Sequence, residues 1–282
     1  MRDTASTKPS ESVMNTILDS ARAMRYNLKR MTGRDTDEAH RVASPLELLF
    51  DLTFVIAFGQ AASQLAHGLA EGHFLAALIG FGFSSFAICW AWINFTWFAS
   101  AYDTDDWLYR IVTMVQMIGV LVLAVGIPRM FASIEQGAHL DNSLMVSGYV
   151  IMRVAMVFQW LRAARQSRSQ EHACKTYAIA ISVAQTGWIL QIFLDFSLPV
   201  SLLLGAMLAA IELLGPYVAE RFGGGTPWHP HHIAERYSLF AIIALGEGIV
   251  GTVATLTAVI DSRGFSLDVA LVGLAGIGMT FG

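Results

Sequence analysis

"WLYRIVTMVQMIGVLVLAVGI", residues 107–127, carries one charge, Arg110, near its start, and after it the chain is aliphatic with scattered uncharged polar residues. A helix on the surface of a soluble protein keeps a charged face opposite its apolar one; this stretch keeps none. At about 20 residues it is long enough to cross a hydrocarbon core of about 30 Å. Six further stretches read the same way, at 45–67, 73–98, 143–162, 173–195, 198–217 and 234–260. An eighth begins near Leu267 and ends in the uncapped "GIGMTFG", so the last helix is expected to be cut short and the chain to be a fragment.

Composition agrees. The chain is 55% hydrophobic and 14% charged, far from the roughly 25% charged residues of a soluble domain. A transmembrane β-barrel would be written in short alternating segments, and these runs are long and apolar all round. The expected fold class is all-α: a polytopic transmembrane helical bundle of seven complete spans and a partial eighth, over residues 44–282. Cys89 lies in an apolar run and Cys174 beside a basic loop; neither suggests a disulfide framework, and no cysteine spacing suits a metal.

Residues 1–43 form a polar tail with eight of the 18 Lys and Arg residues and no signal-peptide core. Val13, Met14, Ile17, Leu18, Ala21, Met24, Leu28 and Met31 fall on one helical arc. That pattern fits a helix lying on an anionic leaflet, and a partly disordered basic tail fits as well. Basic residues concentrate in cytoplasmic loops. With the N-terminus inside, the inner segments hold the tail, Arg110, Arg162, Arg165, Arg168, Lys175, Arg221 and Arg236, and the outer loops only Arg129 and Arg263. The expected location is therefore the cytoplasmic membrane, N-terminus inside.

Helix starts are legible too. Ser44-Pro45-Leu46-Glu47 has the capping-box arrangement, and Asp103 or Asp105 could cap the helix at Trp107. Trp97, Trp107 and Trp160 fall where an aromatic belt is expected. "LELLFDLTFVIAFGQ" and "IAERYSLFAIIALGE" echo one another faintly, and both would run from inside to outside, so a duplication would relate parallel units.

Topology gathers Glu47, Asp51, Asp103, Asp105, Asp106, Arg110, Glu212, His229, His231, His232, Glu235 and Arg236 at the inner ends of the spans, as a polar vestibule or gate. Glu47 reads as a cap or a ligand; Asp51, one turn deeper, has no cap to explain it. The three aspartates suit capping or a cation, and His229, His232 and Glu235 suit a solvated loop or a metal. Two charges lie deeper. Arg153 is mid-span, and Glu247 stands about 16 Å along the helix from Arg236. A lone charge there costs at least about 2.5–3.5 kcal/mol, so both should face the interior, with Glu247 expected to pair with Arg153 or to bond in neutral form to a hydroxyl. Asp51, Arg153 and Glu247 are the expected ion, proton or substrate site.

At these residues the sequence resembles the bacterial low-temperature-requirement A (LtrA) family of integral membrane proteins. The matching blocks are "SPLELLFDLTFVIAF" at 44–58, "NFTWFASAYDTDDWLYR" at 94–110, "GYVIMR" at 148–153 and "HIAERYSLFAIIALGEGIV" at 232–250. The resemblance implies a cytoplasmic-membrane protein whose name derives from growth in the cold, with further spans, and supplies no biochemical activity. One departure is Ala99-Ser100-Ala101-Tyr102, where the family leads one to expect a more polar, basic approach to the Asp-Thr-Asp-Asp motif. The functional classes left open are an ion- or proton-coupled transporter or channel, a membrane-embedded enzyme acting on a lipid or isoprenoid head group, and a non-catalytic sensor or scaffold. No nucleotide-binding glycine loop or nucleophile motif occurs, no cofactor is expected, and basic residues track topology rather than a nucleic-acid surface. The expected partners are the lipid bilayer and a small ion or solute.

Overall fold

The computed structural model describes residues 28–35, 42–194 and 196–281. Among them are eight helices: α1 Pro45–Ala70, α2 Phe74–Tyr102, α3 Trp107–Gln136, α4 Ser143–Gln166, α5 Glu171–Phe193, α6 Leu198–Phe222, α7 Pro230–Arg263 and α8 Leu267–Phe281. The first seven are long and apolar enough to cross a membrane, as expected, and the protein is a polytopic helical membrane protein. Most helices outrun their apolar stretch by a turn or more. The α3 and α6 helices continue through Pro128 and Pro216, which membrane helices tolerate because neighbouring groups satisfy the freed carbonyl.

Helices α3 to α6 pack in sequence, each on the next, and α1 lies against α2, α3 and α7. The α1 and α7 helices run parallel, as the echo between them requires: Glu47 sits beside His232, Asp51 beside Arg236, and Gly59 beside Glu247. The start of α1 is secured by the expected capping box, in which Ser44 Oγ accepts from the Glu47 amide at 3.3 Å and Glu47 Oε2 accepts from the Ser44 amide at 2.7 Å. The cap of α3 is Asp106, whose Oδ1 accepts from the Tyr109 amide at 2.8 Å, rather than Asp103 or Asp105. Asp105 instead takes a left-handed turn with φ 47°.

Between membrane helices there is no apolar gain to be had over lipid, so close backbone approach drives the packing. The α3–α4 contact is an instance. A Cβ at Gly148 would stand 2.3 Å from the Leu123 amide nitrogen, and one at Gly119 would stand 2.7 Å from the Gly148 carbonyl oxygen. Both obstacles are backbone, which cannot rotate aside.

The tail helix expected over residues 13–31 lies mostly outside the described residues. Leu28 and Met31, the last two positions of its apolar arc, are not helical. Met31 is 1% exposed and belongs to the protein core, held by its amide donating to Gln166 Oε1 at 2.7 Å. The aromatic belt is also partly corrected. Trp107 is exposed as a belt residue should be, whereas Trp160 is fully buried and stacks on Tyr177 with ring centroids 4.1 Å apart.

The glycine contact gives the first prediction. Gly148→Leu should destabilise the bundle by at least about 1–3 kcal/mol, the usual cost of overpacking, measured by unfolding in mixed micelles. Gly82→Ala, whose added Cβ meets nothing within 4 Å, should leave the midpoint unchanged.

Candidate functional site

Four ionisable side chains meet where the first turns of α1 and α7 lie side by side. Glu47, Asp51, His232 and Arg236 are each 0% exposed. Asp51 follows Glu47 by four residues and Arg236 follows His232 by four, so each helix presents one pair on one face, and parallel packing brings the pairs together. Arg236 Nη2 donates to Asp51 Oδ1, which also accepts from Trp92 Nε1 at 2.6 Å. Arg236 Nη1 lies 3.8 Å and His232 Nε2 3.3 Å from Glu47 Oε1. The guanidinium carbon stands 5.6 Å from the Trp92 ring centroid and 5.5 Å from that of Phe95, so ring faces share in stabilising the cation. Both helix N-termini bring partial positive charge toward the carboxylates.

Hydrogen bonding here is incomplete. Among the described residues, Asp51 Oδ2, both ring nitrogens of His232, and Arg236 Nε and Nη1 are buried without a hydrogen-bond partner. Two carboxyl groups and an imidazole face one guanidinium, so the proton-accepting groups outnumber the permanent cation. The cluster therefore has a chemical place for one added proton, with the Glu47 carboxylate 3.3 Å from the ring nitrogen that would carry it.

A second cluster lies midway along α4 and α6. Arg153, 2% exposed, pairs with Glu212 and not with Glu247: its Nη2 donates to Glu212 Oε2 at 2.8 Å and also to the Tyr149 hydroxyl. Tyr149 donates to Glu212 Oε2 at 2.5 Å, and Trp188 Nε1 to Glu212 Oε1 at 3.0 Å. Glu212 is thus a deep residue, at the level of Arg153, rather than part of the rim. Three donors, one of them a guanidinium, converge on its carboxyl group.

Glu247 departs from expectation. It is exposed, has no hydrogen-bond or ion-pair partner among the described residues, and lies across the α1 backbone, with Oε1 2.8 Å from where a Gly59 Cβ would be. Like Arg236, Glu247 faces α1, but α7 packs mainly on α1, α2 and α8, so the helix bearing Arg153 is not its neighbour.

At the end of the bundle where α1 begins, the acidic loop is divided among separate partners. Asp106, 2% exposed, pairs with Arg162, whose Nη2 also donates to the Lys29 carbonyl at 3.0 Å; the Lys29 amide in turn donates to Asp106 Oδ2 at 3.2 Å. Asp105 accepts two bonds from Arg110, at 2.7 and 2.8 Å, on the surface. Asp103 Oδ1 accepts from the Asp105 amide at 2.8 Å. The three aspartates do not converge on one cation position. His229 caps α7, its Nδ1 accepting from the His232 amide at 3.3 Å, and Glu235 is half-buried beside Arg236. Among the described residues, the group of three ligand-type side chains close enough to share a cation is Glu71, His73 and Glu135, all exposed at the opposite end.

Sequence reasoning missed the residues that complete these clusters. Trp92, Tyr149 and Trp188 carry no charge and read as packing. Glu220, adjacent to Arg221, reads as a solvated helix end, yet its Oε1 accepts from Tyr177 at 2.9 Å, Trp97 at 3.2 Å and Thr226 at 2.7 Å. The available signal was Glu212 and Glu220 spaced eight residues apart, hence on one side of α6.

Burial raises the Asp106 carboxyl, but the Arg162 guanidinium, the Tyr109 amide and the Thr104 hydroxyl outweigh it and hold the group below its ordinary value of 3.8. A lowered acid contributes stability above that value and loses it as pH falls through the lower, folded one. Asp106→Ala should therefore cost roughly 3–5 kcal/mol at neutral pH by stranding Arg162, and the difference from the unaltered protein should shrink as pH falls below the ordinary value of 3.8, measured by unfolding across pH. In the deeper pair, Glu212→Ala should cost a similar amount, roughly 3–5 kcal/mol, while Glu247→Gln stays within about 0.5 kcal/mol.

Comparison with known proteins fits this framework. The chain is 29% identical over 216 residues to an uncharacterized protein of Rhizobium meliloti (strain 1021), an overlap covering 74% of this chain and 50% of that protein. It thus spans about half the length of the curated relative it matches. No solved structure matches it. The sequence pattern of the bacterial low temperature requirement A protein (LtrA) covers residues 42–282, and the chain belongs to that family.

Proposed function

We propose that this protein is a proton-coupled membrane transporter in which Glu47, Asp51, His232 and Arg236 form the coupling site. The observation that carries the reading is the composition of that cluster: two carboxylates against one permanent cation and one histidine, all fully buried, with unfilled hydrogen-bonding atoms on Asp51, His232 and Arg236. A cluster built only for stability would gain by filling those positions, or by replacing the charges with apolar groups. One that must accept and release a proton needs a vacant acceptor beside a group able to carry the proton, and an imidazole next to a carboxylate supplies both. Protonation alters the attraction between α1 and α7, the two helices that supply the ionisable side chains of the cluster, and so biases their packing. The Arg153–Glu212 pair is a fixed structural tie, and Asp103, Asp105, Asp106 and Arg110 organise the adjacent end. The expected setting is the cytoplasmic membrane with this end inside.

A sensor or scaffold is the second reading, favoured by the sealing of Arg153, Arg162 and Arg236 against carboxylates with little or no exposure. An enzyme using aspartate-bound metal loses its specific support, because the three aspartates are engaged separately.

The test is proton movement into proteoliposomes containing a pH-sensitive dye, under imposed ion and solute gradients. Asp51→Asn and His232→Gln should each reduce coupled proton flux by about a hundredfold, the lower end of what a proton-transfer group contributes, while Arg110→Gln leaves it unchanged. Absence of flux under every gradient, or flux indifferent to both substitutions, would sink the transporter reading and leave the sensor.

A further inference from the structure

The bundle contains one feature that neither charge cluster uses: a cavity of about 290 Å³ in the half of the molecule away from the start of α1. It lies between α2 and α6, with its inner wall formed by α3, α4 and α5. Its walls are side chains such as Ile79, Phe83, Leu123, Met145 and Trp188, and its polar limit is the Tyr149 ring, whose hydroxyl is already engaged by Glu212 and Arg153. The room comes from small residues. The α6 helix turns Gly205, Ala206 and Ala209 toward the cavity, and α2 contributes Gly82.

An apolar cavity of this size does not hold water, which needs two to four polar partners; an engineered cavity of about 150 Å³ stays dry and accepts benzene or xenon. Its rim is equally informative. Leu78, 57% exposed, and the exposed Gly82 and Ala206 border it, and all three lie within membrane-spanning helices. The opening therefore faces hydrocarbon rather than an aqueous phase. An unfilled apolar cavity forfeits dispersion contacts along its whole lining, and the adjacent solvent that can supply them is lipid.

We propose that this cavity is a binding site for one acyl chain of a bilayer phospholipid, which enters sideways between α2 and α6 and ends against Tyr149. The chain keeps water from the Tyr149–Arg153–Glu212 cluster and so maintains the low dielectric in which that ion pair is strongest. This site is independent of the proposed proton coupling at α1 and α7.

Trp188 is the natural reporter, because it lines the cavity and is only 5% exposed. The purified protein is reconstituted into vesicles of phosphatidylcholine with mid-chain brominated acyl groups, and separately into unbrominated phosphatidylcholine. The fluorescence of the Trp188→Phe variant is subtracted from that of the unaltered protein in each. Bromine quenches indole only at short range, so the Trp188 signal should fall by about half or more in brominated lipid. Ala206→Phe and Gly82→Leu, which fill the cavity from opposite walls, should each restore it, with circular dichroism verifying that helix content is kept; if one fails to fold, the other reads the outcome. Equal Trp188 signals in the two lipids would overturn the proposal, as would quenching that neither filling variant relieves. A third arm adds free brominated fatty acid to unbrominated vesicles. Quenching there without quenching by brominated phosphatidylcholine would assign the site to a free amphiphile and overturn the phospholipid assignment.

Discussion

A guanidinium inside a hydrocarbon slab must meet a carboxylate, and three such meetings organise this bundle. Arg236 reaches Asp51 and joins α7 to α1; Arg153 reaches Glu212 and joins α4 to α6; Arg162 reaches Asp106 and joins α4 to the cap of α3. Lipid competes as well as any side chain for apolar surface, so apolar burial alone would leave the order of helices weakly specified. Stranding either member of a buried pair costs several kcal/mol. Each pair thus penalises arrangements in which its two helices separate. The Arg162 pair extends the effect beyond the membrane helices, since Lys29 bonds to both of its members and brings Met31 into the core.

The three pairs differ in how fully the carboxylate is surrounded by donors, and that difference supports the functional reading of one of them. Glu212 accepts from Arg153, Tyr149 and Trp188, and Asp106 from Arg162, Thr104 and two backbone amides. The cluster around Asp51 and Arg236 includes a second carboxylate and a histidine with neither ring nitrogen hydrogen-bonded. A surplus acceptor in a sealed site has a use if protons come and go. The apolar cavity lies toward the other end of the molecule, so the proposed proton site and the proposed lipid site occupy different halves of one bundle.

Much of this was legible in order along the chain. The apolar stretches gave the number and limits of the helices to within a few residues at most ends, Ser44 and Glu47 announced the capping box, and the i, i+4 spacing of Glu47 with Asp51 and of His232 with Arg236 marked two polar faces. The pairing of those faces was not legible. Arg153 was matched with Glu247 on depth alone, whereas Glu212 satisfies it at a similar depth and from a helix whose face points the right way. Uncharged partners were also hidden: Trp92, Tyr149 and Trp188 have the same composition as packing until their polar atoms are located.

Sequence alone determined what each segment must do in a membrane, because the cost of placing a residue in hydrocarbon depends on its own chemistry and its position along the helix. Tertiary structure decided which charges meet and where space remains, because those depend on helix rotation and neighbour choice, which small changes in packing can reverse. Gly119 and Gly148 illustrate the boundary. Their smallness is written in the sequence, but only the approach of α3 to α4 turns smallness at those two positions into a requirement.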